Sequence, residues 1–404
     1  MFACGLCFLR PVPVPADMGS ALSLTIPPAT GAHHVGCTDV LVGAGTEGCF
    51  FRLFYPCTSS SAGQAHPPWC PRPEYMAGLL GVRGWEGRAA QYGAAFILGN
   101  PKIPAIWNGN FLPGLDRKPL IIFSHGLGAF RTLSSSLCME LASNGFLVAA
   151  LEHRDGSASA TYHFSEGDAV TPMQEIWVPF KNVQPGMKKE FYIRNYQVHQ
   201  RASECIRAVR VLEDIDKGRP VSNIMDSGFS LAALKDRMDF NRVAVMGHSL
   251  GGATALLTLV KNDIFRCAVV LDPWMFPLED TCYPGIQKPI LLINTEIFQT
   301  RDSIEKIKRM NSHGADLKYL TVKGCVHKGQ TDFAFMTGYL ASKIGGQQGT
   351  INPHHCLKIH IASSLDFLHK HLDLAIHDPN VEDLKEVIEA HVICGFPSIS
   401  DSKL

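Results

Sequence analysis

The stretch Val243-Ala-Val-Met-Gly-His-Ser-Leu-Gly-Gly-Ala-Thr254 passes from an apolar run into glycines that surround a single serine. The apolar run is typical of a buried strand, and the residues after the serine are typical of a helix. Gly247-His-Ser-Leu-Gly251 fits G-x-S-x-G, a sharp strand-to-helix turn that exposes a nucleophilic serine. Glycine is needed on either side because bulky side chains do not fit so tight a turn. We therefore predict that Ser249 is a nucleophile; the alternative is a purely structural turn.

Strand and helix patterns alternate on both sides of this turn. The predicted strands are 119–124, 146–151, 242–246, 267–271, 289–294 and 317–322, and the predicted helices are 134–144, 200–216, 250–261, 300–310 and 363–371. Such alternation indicates a mostly parallel sheet with helices on both faces. Two earlier strands, Asp39–Val42 and Cys49–Tyr55, predict an antiparallel extension at the amino terminus. We expect one α/β-hydrolase domain at 29–377, a disordered segment at 1–28 and a divergent tail at 378–404.

Two other segments resemble functional motifs or loops. Gly43-Ala-Gly-Thr-Glu-Gly48 fits the spaced glycines of a dinucleotide site, but a strand-like run follows it instead of the helix that such a site requires. We therefore predict a hairpin turn there. Residues 154–174 are polar without a clear period, which predicts a long functional loop.

Composition excludes several classes of protein. The chain has 404 residues, of which 46% are hydrophobic and 18% charged, and its formal net charge is +0. These values fit a globular protein, and no overall field would attract nucleic acid. The apolar runs are too short to span a bilayer. The 13 cysteines have no regular spacing, which favours reduced thiols over disulfides, and the first ten residues make a poor signal peptide.

A serine nucleophile needs a general base and an acid that orients it. In α/β-hydrolases both follow the serine, in the order acid then histidine. His327 follows the predicted strand 317–322 and is the expected base, ahead of His313 and of the group at 354, 355 and 360. For the acid, Asp272 and Glu296 each follow a predicted strand, and spacing does not choose between them.

The transition state also needs two donors for its oxyanion. One donor is expected at Leu250, the first residue after the nucleophile. The other is expected at Leu127, in the glycine-containing loop that follows the strand at 119–124. His125 in the same loop is expected to have a structural role.

The sequence also resembles a known family, the platelet-activating-factor acetylhydrolases. The resemblance rests on Phe123-Ser-His-Gly-Leu-Gly-Ala-Phe-Arg-Thr132, Glu152-His-Arg-Asp155, the segment 247–254 and Trp274-Met-Phe-Pro-Leu278. It extends from about residue 18 to about residue 374. The segments 36–39, 50–57, 294–300 and 331–335 are more similar to the intracellular type II form than to the plasma form.

This resemblance implies a calcium-independent phospholipase A2 that removes short or oxidised sn-2 acyl groups without any cofactor. It implies the catalytic residues Ser249, Asp272 and His327, and leaves Glu296 a structural role. The sequence departs from the family at Leu250, where relatives have phenylalanine, and at Pro273, where they have alanine. A proline at 273 removes an N–H that would otherwise be available to the carboxylate of Asp272.

Metal binding is not expected. His354-His-Cys356 with His360 contains zinc-binding residue types, but their spacing fits no common zinc motif. Three apolar patches, 75–80, 92–98 and 335–340, either touch a membrane surface or pack in the core.

Both ends of the chain contain candidate targeting signals. Met18-Gly-Ser-Ala-Leu-Ser23 fits the myristoylation pattern, with Gly19 as the acceptor if translation begins at Met18. Ser402-Lys403-Leu404 fits a peroxisomal signal. We expect a cytoplasmic protein that associates reversibly with membranes, with the peroxisome as the second location.

Two other functions stay open at this point. One is a serine esterase or lipase with a different ester specificity. The other is an α/β-hydrolase scaffold without catalysis, although such scaffolds often lose one of the three catalytic residues.

Overall fold

A computed structural model describes residues 23–58, 65–82, 84, 87, 101–114, 116–167, 172–184, 186, 188–225, 227–310, 316–337, 349–375 and 382–396. The strands are β1 (Ser23–Leu24), β2 (His34–Val42), β3 (Cys49–Cys57), β4 (Ile106–Trp107), β5 (Lys118–Ser124), β6 (Leu147–Leu151), β7 (Ala160–Phe164), β8 (Glu175–Pro179), β9 (Met238–His248), β10 (Phe265–Leu271), β11 (Ile290–Thr295), β12 (Leu317–Val322), β13 (Met336–Thr337) and β14 (Val392–Cys394). The helices are α1 (Pro73–Val82), α2 (Ser135–Ser143), α3 (Lys188–Asp216), α4 (Leu250–Lys261), α5 (Arg301–Met310), α6 (Pro353–His371) and α7 (Glu382–His391).

Ten of the described strands form one sheet in the order β14-β12-β11-β10-β9-β5-β6-β3-β2-β4. The neighbours from β12 to β6 all run parallel. Strand β3 is antiparallel to both β6 and β2, and β14 is antiparallel to β12. The predicted parallel sheet with an antiparallel extension near the amino terminus is therefore confirmed.

Side chains from the sheet pack on both of its faces. In β5, Ile121 and Phe123 belong to one apolar cluster, and Leu120 and Ile122 belong to a second. This alternation follows from the two-residue period of a strand. Helices α2 and α6 contribute to the first cluster, and α3 and α4 contribute to the second. Continuous apolar runs such as 120–123 are therefore explained by burial on both faces.

The glycine-rich segment between β2 and β3 is the predicted hairpin turn. Val42 pairs with Cys49 at its base. Gly43 and Gly45 have φ of 78° and 68°, the left-handed region that glycine enters at little cost. The prediction against a dinucleotide site is consistent with this hairpin.

The polar segment 154–174 contains more regular structure than predicted. Strand β7 lies within it and pairs antiparallel with β8, from Ala160 opposite Pro179 to Phe164 opposite Glu175. Two of the serines before β7 are buried with partners: Arg201 donates to Ser157 Oγ, and Ser159 Oγ donates to the carbonyl of Tyr75. A polar composition therefore concealed a buried segment, and the prediction of one long loop was wrong.

Pairing also reaches beyond the predicted domain limits of 29 and 377. Strand β1 pairs with β13 near the amino-terminal end of the described chain. Strand β14 adds to the edge of the main sheet through β12. Segments on either side of the predicted domain thus contribute hydrogen-bonded strands.

A group of charged side chains from β2, β3 and the segments that follow β5 and β6 is buried. Arg131 donates to Asp39 Oδ2 at 2.7 Å and to Glu152 Oε2 at 2.9 Å, and Arg52 donates to Asp39 through two nitrogens. Burial raises the pKa of Glu152 to about 7, and Arg131 offsets this only in part. Tyr75 joins the group because its hydroxyl accepts from Arg131 at 2.8 Å.

The described cysteines are free thiols. Ten of these eleven are buried, and Cys394 is exposed. Burial raises the pKa of most of them, for example that of Cys267 to about 12. Cys356 is an exception, because its contact with Cys325 lowers its pKa.

Candidate active site

Ser249 lies at the turn between β9 and α4, in a backbone conformation with φ 58° and ψ −119°. A residue with a side chain rarely adopts such a conformation, which fits the strained turn of a G-x-S-x-G motif. A Cβ on Gly247 would lie 2.1 Å from the carbonyl oxygen of Gly251. A Cβ on Gly251 would lie 2.0 Å from the carbonyl oxygen of Ser124. Both glycines are therefore required sterically, and they bring β5 against the turn.

Asp272 directly follows β10, the neighbour of β9 in the sheet. Its carboxylate is fully buried and accepts three hydrogen bonds. The backbone N–H of Thr295 donates to Oδ1 at 2.7 Å, and the Thr295 hydroxyl donates to Oδ2 at 2.7 Å. His327 Nδ1 lies 3.0 Å from Oδ2 and must donate, because a carboxylate can only accept. This bond leaves Nε2 of His327 as the acceptor nitrogen.

The ring of His327 is held on both faces. Phe298 stacks on it with ring centres 3.7 Å apart and an interplanar angle of 2°. The ring of His248 lies 4.4 Å away, and its Nε2 donates to the backbone carbonyl of His327 at 3.0 Å. Burial holds the pKa of His248 well below its usual value, so His248 is neutral and can donate from one nitrogen only. The imidazole orientation is thus determined by Asp272, Phe298 and His248 together.

The serine and the imidazole are neighbours without a direct bond. Ser249 adjoins His248, whose ring contacts His327. Within the described chain, however, no hydrogen bond joins Ser249 Oγ to the ring of His327, whose recorded bond goes to Asp272. Catalytic bonds are often long in the absence of substrate and tighten in the Michaelis complex. The roles of Ser249, Asp272 and His327 therefore stay predictions supported by their grouping.

The two expected oxyanion donors have free N–H groups in the described structure. Leu250 is the first residue of α4, where backbone N–H groups have no partner within the helix. Leu127 follows Gly126, and a Cβ on Gly126 would lie only 3.3 Å from the Cβ of Ser249. The neighbouring N–H of Gly128 donates to the carbonyl of Ser157, which fixes the loop. Both donors thus belong to segments in contact with the serine.

His125 has the structural position that the sequence analysis expected. Its Nδ1 lies 2.8 Å from the carbonyl of Gly126, and its ring is buried. Burial and nearby Arg201 keep its pKa well below the usual value. Arg201 also donates to the carbonyl of His125 at 2.5 Å, and this bond anchors the loop that contains Leu127.

The structure separates the two candidate acids. Glu296 is exposed, and its Oε2 accepts from the N–H of Gly324 at 2.7 Å, in the loop that leads to His327. Asp272 alone of the two bonds the imidazole in the described structure. Both acids follow strands, but Glu296 lies one residue beyond the end of β11 and faces the loop. Its contact agrees with the structural role implied by the family resemblance.

Thr295 was missed by the sequence analysis. It replaces the backbone donor that Pro273 removes, because both of its polar groups bond the Asp272 carboxylate. The signal was present as a hydroxyl residue at the end of the predicted strand 289–294, next to Glu296. Pro273 also packs against the nucleophile turn, since a Cβ on Gly252 would lie 2.9 Å from its Cα.

The remaining candidate histidines lie on helix α6 or outside the described residues. His354 and His355 are exposed on the first turn of α6, while His360 is buried on the same helix. None of the three is near enough to Asp272 to bond it in the described structure. His313 lies outside the described residues.

One of the three apolar patches is part of the core. Residues 75–80 lie in α1, where Tyr75, Met76, Ala77, Leu79 and Leu80 are buried. Membrane contact by this patch is therefore ruled out in favour of core packing. The patch at 92–98 and residues 338–340 lie outside the described residues, as do Gly19 and 402–404. In the part of the chain that the structure describes, none of the helices combines the length and apolar character needed to span a bilayer.

The fold is shared with a solved esterase. A ferulic acid esterase from Streptomyces cinnamoneus superposes with a TM-score of 0.61, covering 91% of this chain and 98% of that one. The two are 19% identical in sequence, so the likeness concerns the fold. The predicted α/β-hydrolase fold is consistent with it.

Sequence comparisons identify the family. The family model described as platelet-activating factor acetylhydrolase, isoform II, matches residues 18–392. Platelet-activating factor acetylhydrolase of Canis lupus familiaris is 42% identical over 352 residues, 86% of this chain and 78% of that protein. The Gallus gallus protein of the same name is 41% identical over 390 residues, 93% of this chain and 90% of its own length. A putative phospholipase A2 of Schizosaccharomyces pombe is 27% identical over 398 residues, covering 86% and 89%. Because these matches extend over almost the whole chain and agree with the resemblance of its motifs, the chain belongs to the platelet-activating factor acetylhydrolase family.

Proposed function

We propose that this chain is a calcium-independent phospholipase A2 that hydrolyses short or oxidised acyl groups at the sn-2 position of phospholipids. The acetyl group of platelet-activating factor is one such group. Family membership and the names of the relatives support the substrate class. The observation that carries the chemistry is the bond from His327 to Asp272 at 3.0 Å beside the nucleophile turn.

Catalysis then follows the serine hydrolase pathway. His327 removes the proton from Ser249 Oγ, which attacks the sn-2 ester carbon. Asp272 keeps the proton on Nδ1 and stabilises the imidazolium that forms. His327 next protonates the departing alkoxide of the lyso-lipid, leaving an acyl group on Ser249. Water, activated by the same imidazole, releases the acid and restores the serine.

The charge of the tetrahedral intermediate falls on a single oxygen. The N–H groups of Leu127 and Leu250 are the proposed donors, and the amino end of α4 adds its dipole. Neither donor depends on a metal or an organic cofactor. The proposal therefore includes no cofactor.

A fluorophosphonate probe tests the nucleophile. We expect wild type to be labelled and Ser249→Ala to remain unlabelled while melting at a similar temperature. Equal labelling of both proteins, or none of the wild type, would favour a non-catalytic scaffold.

A chain-length series tests the substrate class. Phosphatidylcholines with sn-2 groups from acetyl to palmitoyl should be hydrolysed progressively more slowly as the chain lengthens. Flat or rising rates would instead support a lipase or esterase of other specificity.

We also propose a cytoplasmic enzyme that contacts membranes from the side of its active site. Ile297 is 53% exposed and adjoins Phe298, which covers the His327 ring. An apolar residue at that position would contact lipid as the substrate enters. Replacing Ile297 with aspartate should lower binding to phosphatidylcholine vesicles while hydrolysis of a water-soluble ester is kept; unchanged vesicle binding argues against this contact.

Acylation and peroxisomal targeting remain separate proposals. Mass spectrometry of the amino terminus from cells should detect myristoyl-Gly19, and a terminus at Met1 would contradict it. Deletion of 402–404 should leave most of the protein in the cytoplasm. If the deletion abolishes a peroxisomal pool, those residues act as a targeting signal.

A further inference from the structure

A buried cluster of sulfur and nitrogen atoms lies close behind His327. It consists of Cys325, Cys356 and His360, all 3% exposed or less. One potential ligand atom from each of them lies within 4.8 Å of the other two. The two sulfurs are 3.1 Å apart, and Cys356 Sγ lies 3.8 Å from His360 Nδ1.

The cluster combines a local pair with a distant residue. Cys356 and His360 are four residues apart on α6, so they share one face of the helix. Cys325 comes from the loop after β12, two residues before His327 and 31 residues before Cys356. The sequence analysis grouped 354–356 with His360, but His354 and His355 are exposed and do not belong to the cluster.

The donor set suits zinc. Zn²⁺ is held by thiolates at about 2.3 Å and by imidazole nitrogens at about 2.0–2.1 Å. In a tetrahedron with these bond lengths, two sulfurs lie about 3.8 Å apart and sulfur and nitrogen about 3.6 Å apart. The sulfurs would therefore separate by roughly 0.7 Å, and Cys356 is already near the required distance from His360. Two thiolates also neutralise Zn²⁺, as burial of the site demands.

The protonation of the thiols is consistent with ligation. The hydrogen bond between Cys325 and Cys356, together with nearby His360, lowers the pKa of Cys356, whereas burial raises it. The same bond and burial raise the pKa of Cys325. A metal ion would take the place of the proton between the two sulfurs.

Gln330 provides a partner for the other ring nitrogen. Its Nε2 lies 3.5 Å from His360 Nε2, and its buried Oε1 accepts no hydrogen bond in the described structure. Ligation through Nδ1 would place a proton on Nε2, which requires an acceptor. A half-turn of the amide would offer Oε1 for this bond, but it would break the bond from Nε2 to the carbonyl of Ile293 and bring Oε1 against that carbonyl oxygen.

We propose that Cys325, Cys356 and His360 bind a zinc ion, contrary to the sequence expectation that the chain binds no metal. The three side chains leave the fourth position to a water molecule. The ion links two segments. One is the turn that carries His327, which follows Cys325 and ends at Gln330, and the other is helix α6. The role of the ion is to position the turn that carries His327. This role rests on the proposed function, whereas zinc binding itself does not.

The first experiment measures metal on the intact protein. Untagged wild type is purified under reducing conditions with zinc present and then analysed by inductively coupled plasma mass spectrometry. We expect about one zinc ion per chain. Replacement by Co²⁺ should produce a thiolate-to-cobalt absorption band in the near ultraviolet and visible bands typical of tetrahedral cobalt, a readout that needs no variant.

Matched variants locate the site on α6. Cys356→Ser and His360→Ala should each lose most of the zinc, whereas His354→Ala and His355→Ala on the same helix should keep it. Chelation should lower the melting temperature of wild type and of the two controls, but not that of Cys356→Ser. If a variant fails to fold, the cobalt spectrum of wild type still decides the proposal.

Two results would overturn the site. One is wild type that takes up neither zinc nor cobalt while fully reduced and folded. The other is an intact mass two daltons low from a Cys325–Cys356 disulfide that forms even with zinc present, which makes the pair a redox site. Fluorophosphonate labelling distinguishes the two proposals. A protein that binds zinc but is not labelled by the probe would support the metal site and contradict the enzymatic function.

Discussion

Thr295 holds both oxygens of the Asp272 carboxylate, one through its backbone N–H and one through its hydroxyl, each at 2.7 Å. The hydroxyl bond reaches Oδ2, the same oxygen that accepts from His327. Thr295 therefore determines where the carboxylate points, although it touches neither the substrate nor the nucleophile. The bonds from Thr295 thus replace the backbone N–H donor that Pro273 lacks.

Removal of the hydroxyl tests Thr295 as a positioning residue. Thr295→Val keeps the shape and the backbone bond but deletes the bond to Oδ2. We expect kcat to fall about tenfold with KM unchanged, as one lost hydrogen bond to a charged group implies. Thr321→Val is the control, because it removes a buried threonine bond to the carbonyl of Gly395, the residue that follows β14. Equal kcat values for the two variants would mean that Thr295 is only structural.

The choice of acid is tested by two amide substitutions. Asp272→Asn should lower kcat by about 10⁴-fold, because an amide stabilises the wrong imidazole tautomer. Glu296→Gln keeps its contact with Gly324 through the amide oxygen and should change kcat by less than about threefold. Steady-state kinetics on an acetyl ester measures both. A larger loss for the Glu296 variant would reverse the assignment.

Gly126 is required by the oxyanion loop. A Cβ at this position would lie 3.1 Å from His248 Nδ1 and 3.3 Å from Ser249 Cβ. Gly126→Ala should therefore displace the Leu127 N–H and lower kcat by about 10²-fold, close to the loss of one oxyanion donor. Gly109→Ala is equally crowded, at 3.0 Å from Ile106, but lies away from the site. If both variants keep full kcat, Leu127 is not a donor.

Glu152 predicts a pH dependence of stability. Burial raises its folded pKa from 4.5 to about 7, so between these pH values the folded state binds more protons than the unfolded state. The free energy of unfolding contributed by this group therefore falls as the pH rises through that window. Relative to Glu152→Gln, wild type should lose up to about 3 kcal/mol between pH 4.5 and 7. Urea unfolding at several pH values measures the difference, and parallel curves for the two proteins would contradict it.

Much of the fold could be predicted because it depends on local pattern. Helix α4 and strand β12 begin and end where their residues predicted. Helix α3 begins at Lys188, about twelve residues before the predicted start, because its first turns lack a clear apolar stripe. Strand β7 was missed because the polar residues that precede it are buried against residues far away in the sequence, as in the bond from Arg201 to Ser157.

The sequence by itself determined the strand, turn and helix around Ser249, because only glycine fits within about 2 Å of a neighbouring backbone oxygen at 247 and 251. It also placed His327 after its strand. Only the tertiary structure showed that Asp272 bonds the imidazole, introduced Thr295 and brought Cys325 to Cys356. These relationships depend on which strands and helices become neighbours. A local sequence pattern does not give the spatial distance between residues that are far apart in the chain.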